Sequence, residues 1–365
     1  MTTAVNALAT VDTEHVLRHA AGVWPAMAGW RLFITGGTGF FGCWLLETLQ
    51  AANRRFDLGI EATVLSRDPA AFARRAPHLA AGIRWVKGSA VDFTPALVAR
   101  ELGVEPEHLA FDAVIHLATE ADNARTVADP AAAIEAIAGS TRQALEFAAA
   151  AGARRFLFTS SGSIYGRQPP ELERTPEDFP GSPDPAHLSA AYAISGQAKR
   201  DAELLCTTLD AEKGLEVVIA RCFAFAGPYL PLDSKFAFGN FLADALGGRD
   251  IVVKGDGTPV RSYLYAADLA VWLWTLLVQG KAGRPYNVGY EAAVNIATLA
   301  ETVARLVAPG RKVRVVGTPN PMVPVDRYVP STRRAREELG LGEKIDLEEA
   351  ILRTAEWARR GGANS

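Results

Sequence analysis

The sequence predicts a doubly wound α/β architecture, a parallel sheet covered by helices on both faces, with a smaller C-terminal lobe. Three observations carry that prediction. From Arg31 onward, short apolar runs rich in β-formers alternate with helical stretches, the pattern of parallel strands buried on both sides. The first run leads straight into the glycine-rich TGGTGFFG (35–42) and then into a helical stretch, which is the order of a nucleotide-binding strand, turn and helix. After Gly227-Pro228 the pattern changes to Pro/Gly turns, short strands and helices, and in open α/β sheets such later material covers the carboxyl edge where ligands bind. The predicted class is therefore a Rossmann sheet with an added lobe.

Length and composition agree. A chain of 365 residues suits one large domain with a companion, and 49% hydrophobic against 22% charged residues supplies ample core and argues against disorder. A formal net charge of -3 leaves no electrostatic footprint for nucleic acid, so small-molecule chemistry is expected. Cys43, Cys206 and Cys222 are scattered, with no CxxC pair and no histidine at ligand spacing; the expectation is a reducing, cytoplasmic setting and no metal. The most apolar stretch, Leu269 to Val278, is too short to span a bilayer.

Taken in order, residues 1–29 form an extension in which Val16, Leu17, Ala20, Val23 and Trp24 recur at helical spacing, with Thr13 as the expected N-cap. The dinucleotide-binding domain is expected over 30–228, with strands at RLFIT (31–35), ATVLS (62–66), IRWVKG (83–88), AVIHLA (113–118), RFLFTS (155–160) and EVVIARCF (216–223). The Ala-rich stretches 70–82 and 130–153 read as ordinary helix. Residues 229–365 form mainly the lobe, with some segments returning to the sheet and a polar helix from about Leu347 to Arg360.

In TGGTGFFG, Gly36, Gly39 and Gly42 permit a tight turn and the close approach of a pyrophosphate to N–H groups at a helix start. Thr38, Phe40 and Phe41 lie on the same turn. The second strand ends Ser66, Arg67, Asp68. Ser66 and Arg67 suit a 2′-phosphate, which tilts the expectation within NAD(P) toward NADP(H); Asp68, two positions late, keeps NAD(H) open.

At the end of the fifth strand, TSSGSIYG (159–166) brings hydroxyls to the crevice, Ser161 the best placed to hold a substrate hydroxyl. Downstream stand Tyr192 and Lys199, seven positions apart, with Gly196 four after the tyrosine. A phenol has a pKa near 10, and a neighbouring ammonium favours its ionised form. Side chains four apart on a helix are neighbours, whereas seven apart they are separated by roughly 10 Å along the axis.

TGGTGFFG, HLAT (116–119), TSSGSIYG and the downstream Tyr and Lys together resemble the extended short-chain dehydrogenase/reductase family, with the NDP-sugar epimerases and dehydratases as the nearest subgroup. The likeness runs from about Arg31 to the C-terminus through RCFAFAGP (221–228), KGDGTPVRSYLYAADLA (254–270) and RPYNVG (284–289). The resemblance implies reversible oxidation at a sugar carbon, often C4, by a bound nicotinamide, with Tyr as acid/base, Lys lowering its pKa and Ser positioning the hydroxyl. It further implies cofactor contacts at Ser89, Ala90, Leu117, Ala118, Thr119, Lys199 and Phe223, substrate contacts at Ser161, Asn240, Arg261 and Arg327, and a homodimer.

Departures from the family pattern are informative. Read forward from PEDFPGSPDP (176–185), Tyr192 takes the acid/base position; read back from KRDAELL (199–205), Ser195 takes it. Both alternatives stand, the first requiring a late helix start or a bulge near Gly196. Gly162 and Ser163 occupy the place of the dehydratases' Asp-Glu pair, which disfavours 4,6-dehydration because elimination would lack its acid and base. Ala224 and Ser89 replace the usual Asn and Asp. His116 is expected to be structural, and Glu120 or Asp122 are candidate substitute bases. The expected function is an NAD(P)-dependent NDP-sugar epimerase. The alternatives are an NADPH-dependent reductase of an NDP-4-keto sugar, and a cofactor-binding protein with little turnover.

Overall fold

The computed structural model describes residues 5–119, 123–186, 188–232 and 236–362. Its centre is a seven-stranded sheet built from β1 (Arg31–Thr35), β2 (Glu61–Ser66), β3 (Arg84–Lys87), β4 (Ala113–His116), β5 (Arg155–Ser161), β6 (Glu216–Cys222) and the returning strand Pro285–Val288. The order across the sheet is Pro285–Val288, β6, β5, β4, β1, β2, β3, and every pairing is parallel. The chain winds outward in both directions from the β1/β4 neighbours, so the carboxyl ends of these two strands form the switch point where such sheets bind ligands.

Both faces of the sheet are covered. On one, Phe33, Phe93, Phe111 and Phe147 pack ring against ring around β1. The other carries a larger core that includes Trp24, Trp44, Trp272, Trp274 and Tyr265, all essentially excluded from solvent. Each such side chain contributes roughly 1.5–3 kcal/mol by leaving water.

The extension is part of this second core. Its helix, Thr10–His19, packs on the helices Phe40–Phe56 and Ala266–Gln279. Buried Asp12 accepts from Arg353 (2.7 Å) and from the Tyr265 hydroxyl (2.9 Å), while His15 Nε2 meets Asp268 at 2.8 Å. Burial raises the Asp12 pKa and the Arg353 bond opposes that rise. Thr13 is not the cap: the helix has already begun at Thr10, and the Thr13 hydroxyl donates back to the Thr10 carbonyl at 3.0 Å.

Two Ala-rich stretches are less regular than their composition predicts. Residues 70–82 hold two short helices, Pro69–Arg75 and Pro77–Ala80, because Ala76 precedes a proline and is held out of the helical region. Residues 130–153 run through Pro130–Ile134, a π-turn at Glu135–Gly139 and then Ser140–Ala150. In the lobe, Arg327–Tyr328 pairs in parallel with Val260–Arg261, which pairs on its other edge with Val294–Asn295. Tyr328 stands opposite Arg261, and Arg327 opposite Val260.

Candidate active site

The glycine-rich turn sits at the switch point. Gly36 has φ +70°, and a β-carbon there would lie 2.6 Å from the Ala118 nitrogen, so the turn packs directly on the chain leaving β4. At Gly42 a β-carbon would lie 2.3 Å from the Gly37 carbonyl. The helix Phe40–Phe56 starts at N-cap Gly39 with no side-chain capping bond, leaving N–H groups and the positive helix end directed at the crevice. These contacts leave bare backbone where a pyrophosphate would be held, and the cradle fits a dinucleotide.

Around the turn, Ser66 is buried at the end of β2 and Arg67 is exposed. Asp68 is committed elsewhere: its carboxylate accepts from Ala71 N at 2.8 Å and caps the helix Pro69–Arg75. That helix returns a cation which sequence reading missed, since the Arg75 guanidinium donates to the Thr38 carbonyl at 2.8 Å. Ser89 bridges to Asp92, with Ala90 partly buried beside it. Leu117 is buried and its N–H donates to the Thr35 carbonyl, while Ala118 and Thr119 emerge progressively into solvent. His116 is fully buried between Thr35 Oγ1 (2.7 Å) and Ser140 Oγ (3.4 Å), and burial pushes its pKa down to about 3, so it stays neutral and ties β4 to its neighbours. Glu120 and Asp122 lie outside the described residues.

At the other end of the edge, β5 delivers Ser161 into a 3-10 turn, where its hydroxyl accepts from Ser163 N at 3.1 Å. The turn is braced from behind. Tyr165 donates to Asn287 at 2.8 Å and accepts from Arg221 at 2.7 Å, and Arg221 pairs with buried Glu203 at 2.7 Å.

The helix carrying Tyr192, Ser195 and Lys199 runs Ala190–Lys213, starting ahead of Tyr192 and continuing through Gly196 without a break or bulge. Gly196 has a packing reason: a β-carbon there would lie 2.7 Å from the Ser163 carbonyl and 2.8 Å from Pro183. No lysine fits four residues after Tyr192. Lys199 is buried, donates from Nζ to the Thr159 carbonyl at 2.7 Å and lies 4.7 Å over the Phe158 ring. Desolvation pulls its pKa down to about 8. Ser195 lies partly buried four residues before Lys199, one turn away on the same side.

Tyr192 turns toward the lobe. Its ring meets Tyr328 edge-on at 6.2 Å, and its surroundings include Arg261 and Asp326. Burial raises its pKa well above the ordinary phenol value. Tyr328 is the residue that sequence reading missed. Its hydroxyl lies 3.5 Å from the Cys222 carbonyl, its ring packs at 4.6 Å against Phe223, and Ser161 and Tyr192 act on it to oppose the rise in pKa that burial causes. A β-carbon on Gly162 would lie 2.8 Å from both the Phe223 ring and the Tyr328 hydroxyl, so the position after Ser161 has no room for a carboxylate. Arg261 pairs with Asp326 at 2.6 Å. Arg327, the neighbour of Tyr328 on a two-residue strand, takes the opposite face; Asn240 is partly buried on the helix Ala237–Leu246.

Among the described residues no cluster of His, Cys, Asp or Glu is arranged to hold a metal ion, and no helix is long and apolar enough to cross a membrane.

Known proteins share this architecture. A UDP-glucuronic acid decarboxylase of Arabidopsis thaliana is 29% identical over 321 residues, covering 88% of this chain and 87% of its own. A dTDP-glucose 4,6-dehydratase from Streptomyces venezuelae, solved with NAD and TYD bound, superposes with a TM-score of 0.73 at 26% identity, covering 92% of this chain and 99% of that one. The UDP-glucose 4-epimerase of Thermotoga maritima, at 22% identity and a TM-score of 0.76, covers 91% and 99% and shares the fold. The family model for NAD dependent epimerase/dehydratases matches residues 32–289, from the first strand to the last strand of the sheet. With its glycine cradle and Ser161 on one sheet edge, this chain is an enzyme that belongs to the NAD-dependent epimerase/dehydratase family.

Proposed function

We propose that the enzyme transiently oxidises a ring hydroxyl, at C4, of a nucleotide-diphosphate sugar and releases an epimerised sugar. The observation that supports this most is the opening of the glycine cradle and Ser161 on one edge of one sheet. Gly36, Gly39 and Gly42 would hold the dinucleotide, which when bound supplies the two-electron oxidant. Ser161 orients the sugar hydroxyl, a phenol on the same edge moves its proton, and Lys199, at the end of β5, serves the cofactor's ribose. Arg261, and Arg327 from the other face of its strand, are the cations proposed for the diphosphate.

A second reading is decarboxylation of an NDP-uronate, favoured by the 29% match to UDP-glucuronic acid decarboxylases. Oxidation at C4 makes such a sugar a β-keto acid, which loses carbon dioxide without a dedicated acid/base pair, and Gly162 leaves no room for one. For the cofactor, Asp68 is spent on a helix cap and Arg67 stays free at the end of β2; both favour NADP(H) over NAD(H).

The test is to incubate the purified chain with NAD+ or NADP+ and with UDP-glucose or UDP-glucuronate, and to identify products by proton NMR. A C4 epimer supports the first reading, and a pentose with released carbon dioxide the second. Unchanged sugars with every pairing would sink both.

A further inference from the structure

The interrupted Tyr/Lys spacing leaves the proton-transferring group unassigned, and the lobe supplies a phenol that the helix does not. We propose that Tyr328 is the acid/base of this enzyme, with Ser161 holding the substrate hydroxyl beside it and Arg261 providing the neighbouring positive charge. The inference rests on the nucleotide-sugar reading above.

Three observations carry it. First, the Tyr328 hydroxyl stands 2.8 Å from where a β-carbon on Gly162, the residue after Ser161, would lie, whereas Tyr192 reaches the group edge-on against the Tyr328 ring at 6.2 Å. Second, its hydroxyl sits over Gly162, which has no side chain to displace it, and its ring is fixed against Phe223 at 4.6 Å. Third, Lys199 is engaged with the Thr159 carbonyl and the Phe158 face, and the ionisable groups acting on it are Cys222, Cys206 and Glu203 rather than either phenol. The charge felt by both phenols is Arg261, placed opposite Tyr328 by the parallel register of their strands. Tyr192 is then a positioning residue.

In the forward step the substrate O–H bond breaks and its proton goes to the ionised Tyr328 oxygen. The dinucleotide that Gly36, Gly39 and Gly42 would hold would take up the carbon-bound hydrogen with its electron pair, which would leave the sugar carbon a ketone and the phenol neutral. The groups facing Tyr328 are Ser161 from β5, Cys222 from β6, Tyr192 from the active-site helix and Arg261 from the lobe, with Asp326 paired to Arg261. Burial raises the Tyr328 pKa to about 12 and Arg261 opposes that rise. Turnover is therefore expected to increase with pH from 7 to 10, and to be lower throughout that range once the Arg261 charge is removed in Arg261→Gln.

The experiment uses the full chain with the cofactor and UDP-sugar that react in the assay above. Tyr328→Phe is expected to lower kcat by about 100-fold or more while NADH affinity, read by fluorescence, stays within about twofold; Tyr192→Phe is expected to lose about tenfold. A Tyr328→Phe enzyme within about threefold of the parent overturns the proposal. A second readout needs no turnover: 3-fluorotyrosine at position 328, whose ¹⁹F resonance is expected to move both with Ser161→Ala and on addition of UDP-glucose with NAD+. A resonance unmoved by either overturns the proposal even in an inactive protein. A resonance that moves with Ser161→Ala but not with UDP-glucose, with no sugar converted, supports the Tyr328–Ser161 contact and rejects the nucleotide-sugar reading instead.

Discussion

The two ends of the binding edge are built by different means. At β1 the glycine turn is made of backbone: Gly36 touches Ala118, Gly42 touches Gly37, and no side chain intervenes. At β5 everything depends on side chains brought from separate elements, with Ser161 from a strand, Lys199 from a helix, and Tyr328 and Arg261 from the lobe. A backbone site tolerates almost no substitution and varies little. A side-chain site can exchange one donor for another from a different part of the chain, and here the departure that touches the chemistry, the broken Tyr/Lys spacing, lies at that end.

The largest effect that would test this contrast is expected at Gly42. Alanine there puts a methyl 2.3 Å from the Gly37 carbonyl, so Gly42→Ala is expected to cost about 3 kcal/mol of stability by urea unfolding and to abolish NADH binding by fluorescence. Parental affinity would show that the turn is not the cradle.

At the β5 end, the prediction of comparable size is a pH effect. Lys199 has a folded pKa of about 8 against an ordinary 10.5, so between these values the unfolded chain binds more protons and stability rises with pH, by on the order of 3 kcal/mol across the window. Lys199→Met is expected to flatten that rise and to be no less stable than the parent at pH 7. Urea midpoints from pH 7 to 10.5 measure it, and an unaltered slope would mean that the ammonium is solvated after all.

The smallest effect belongs to Asp68. Losing its cap in Asp68→Ala is expected to cost about 1 kcal/mol with NADH affinity unchanged. A tenfold loss of affinity would instead make this carboxylate a ribose ligand and undo the argument for NADP(H).

What was legible in the sequence follows the same division. The six predicted strands appear within about two residues of their expected ends, since continuous apolar runs bury on both faces whatever surrounds them. The glycine spacing was readable because its constraint is local. The breaks at Ala76-Pro77 and Glu135–Gly139 were hidden by Ala-rich composition, although the proline was in plain view. Thr13 looked like a cap because it is a hydroxyl residue shortly before the apolar periodicity at Val16 and Leu17, whereas the helix begins one turn earlier and Ala9 takes the cap position with no side-chain bond. Arg75 and Tyr328 were invisible for a stronger reason. Each reaches its place only through tertiary packing, one by the helix after β2 and the other by a two-residue strand pairing with residues far earlier in the chain. Tyr328 adjoins Arg327, so the resemblance pointed to its neighbour and passed over the phenol.

Gly196 also limits which related sequences lie within mutational reach. A library that varies position 196 to rebuild the one-turn pair with Tyr192 would spend its members on collisions with the Ser163 carbonyl and Pro183. A library that holds the glycine and varies position 195 keeps the helix seated and sets each new side chain one turn from Lys199. The short road from this chain to the ordinary pairing therefore runs through Ser195→Tyr, and any lineage that took it would be free to lose the lobe's tyrosine.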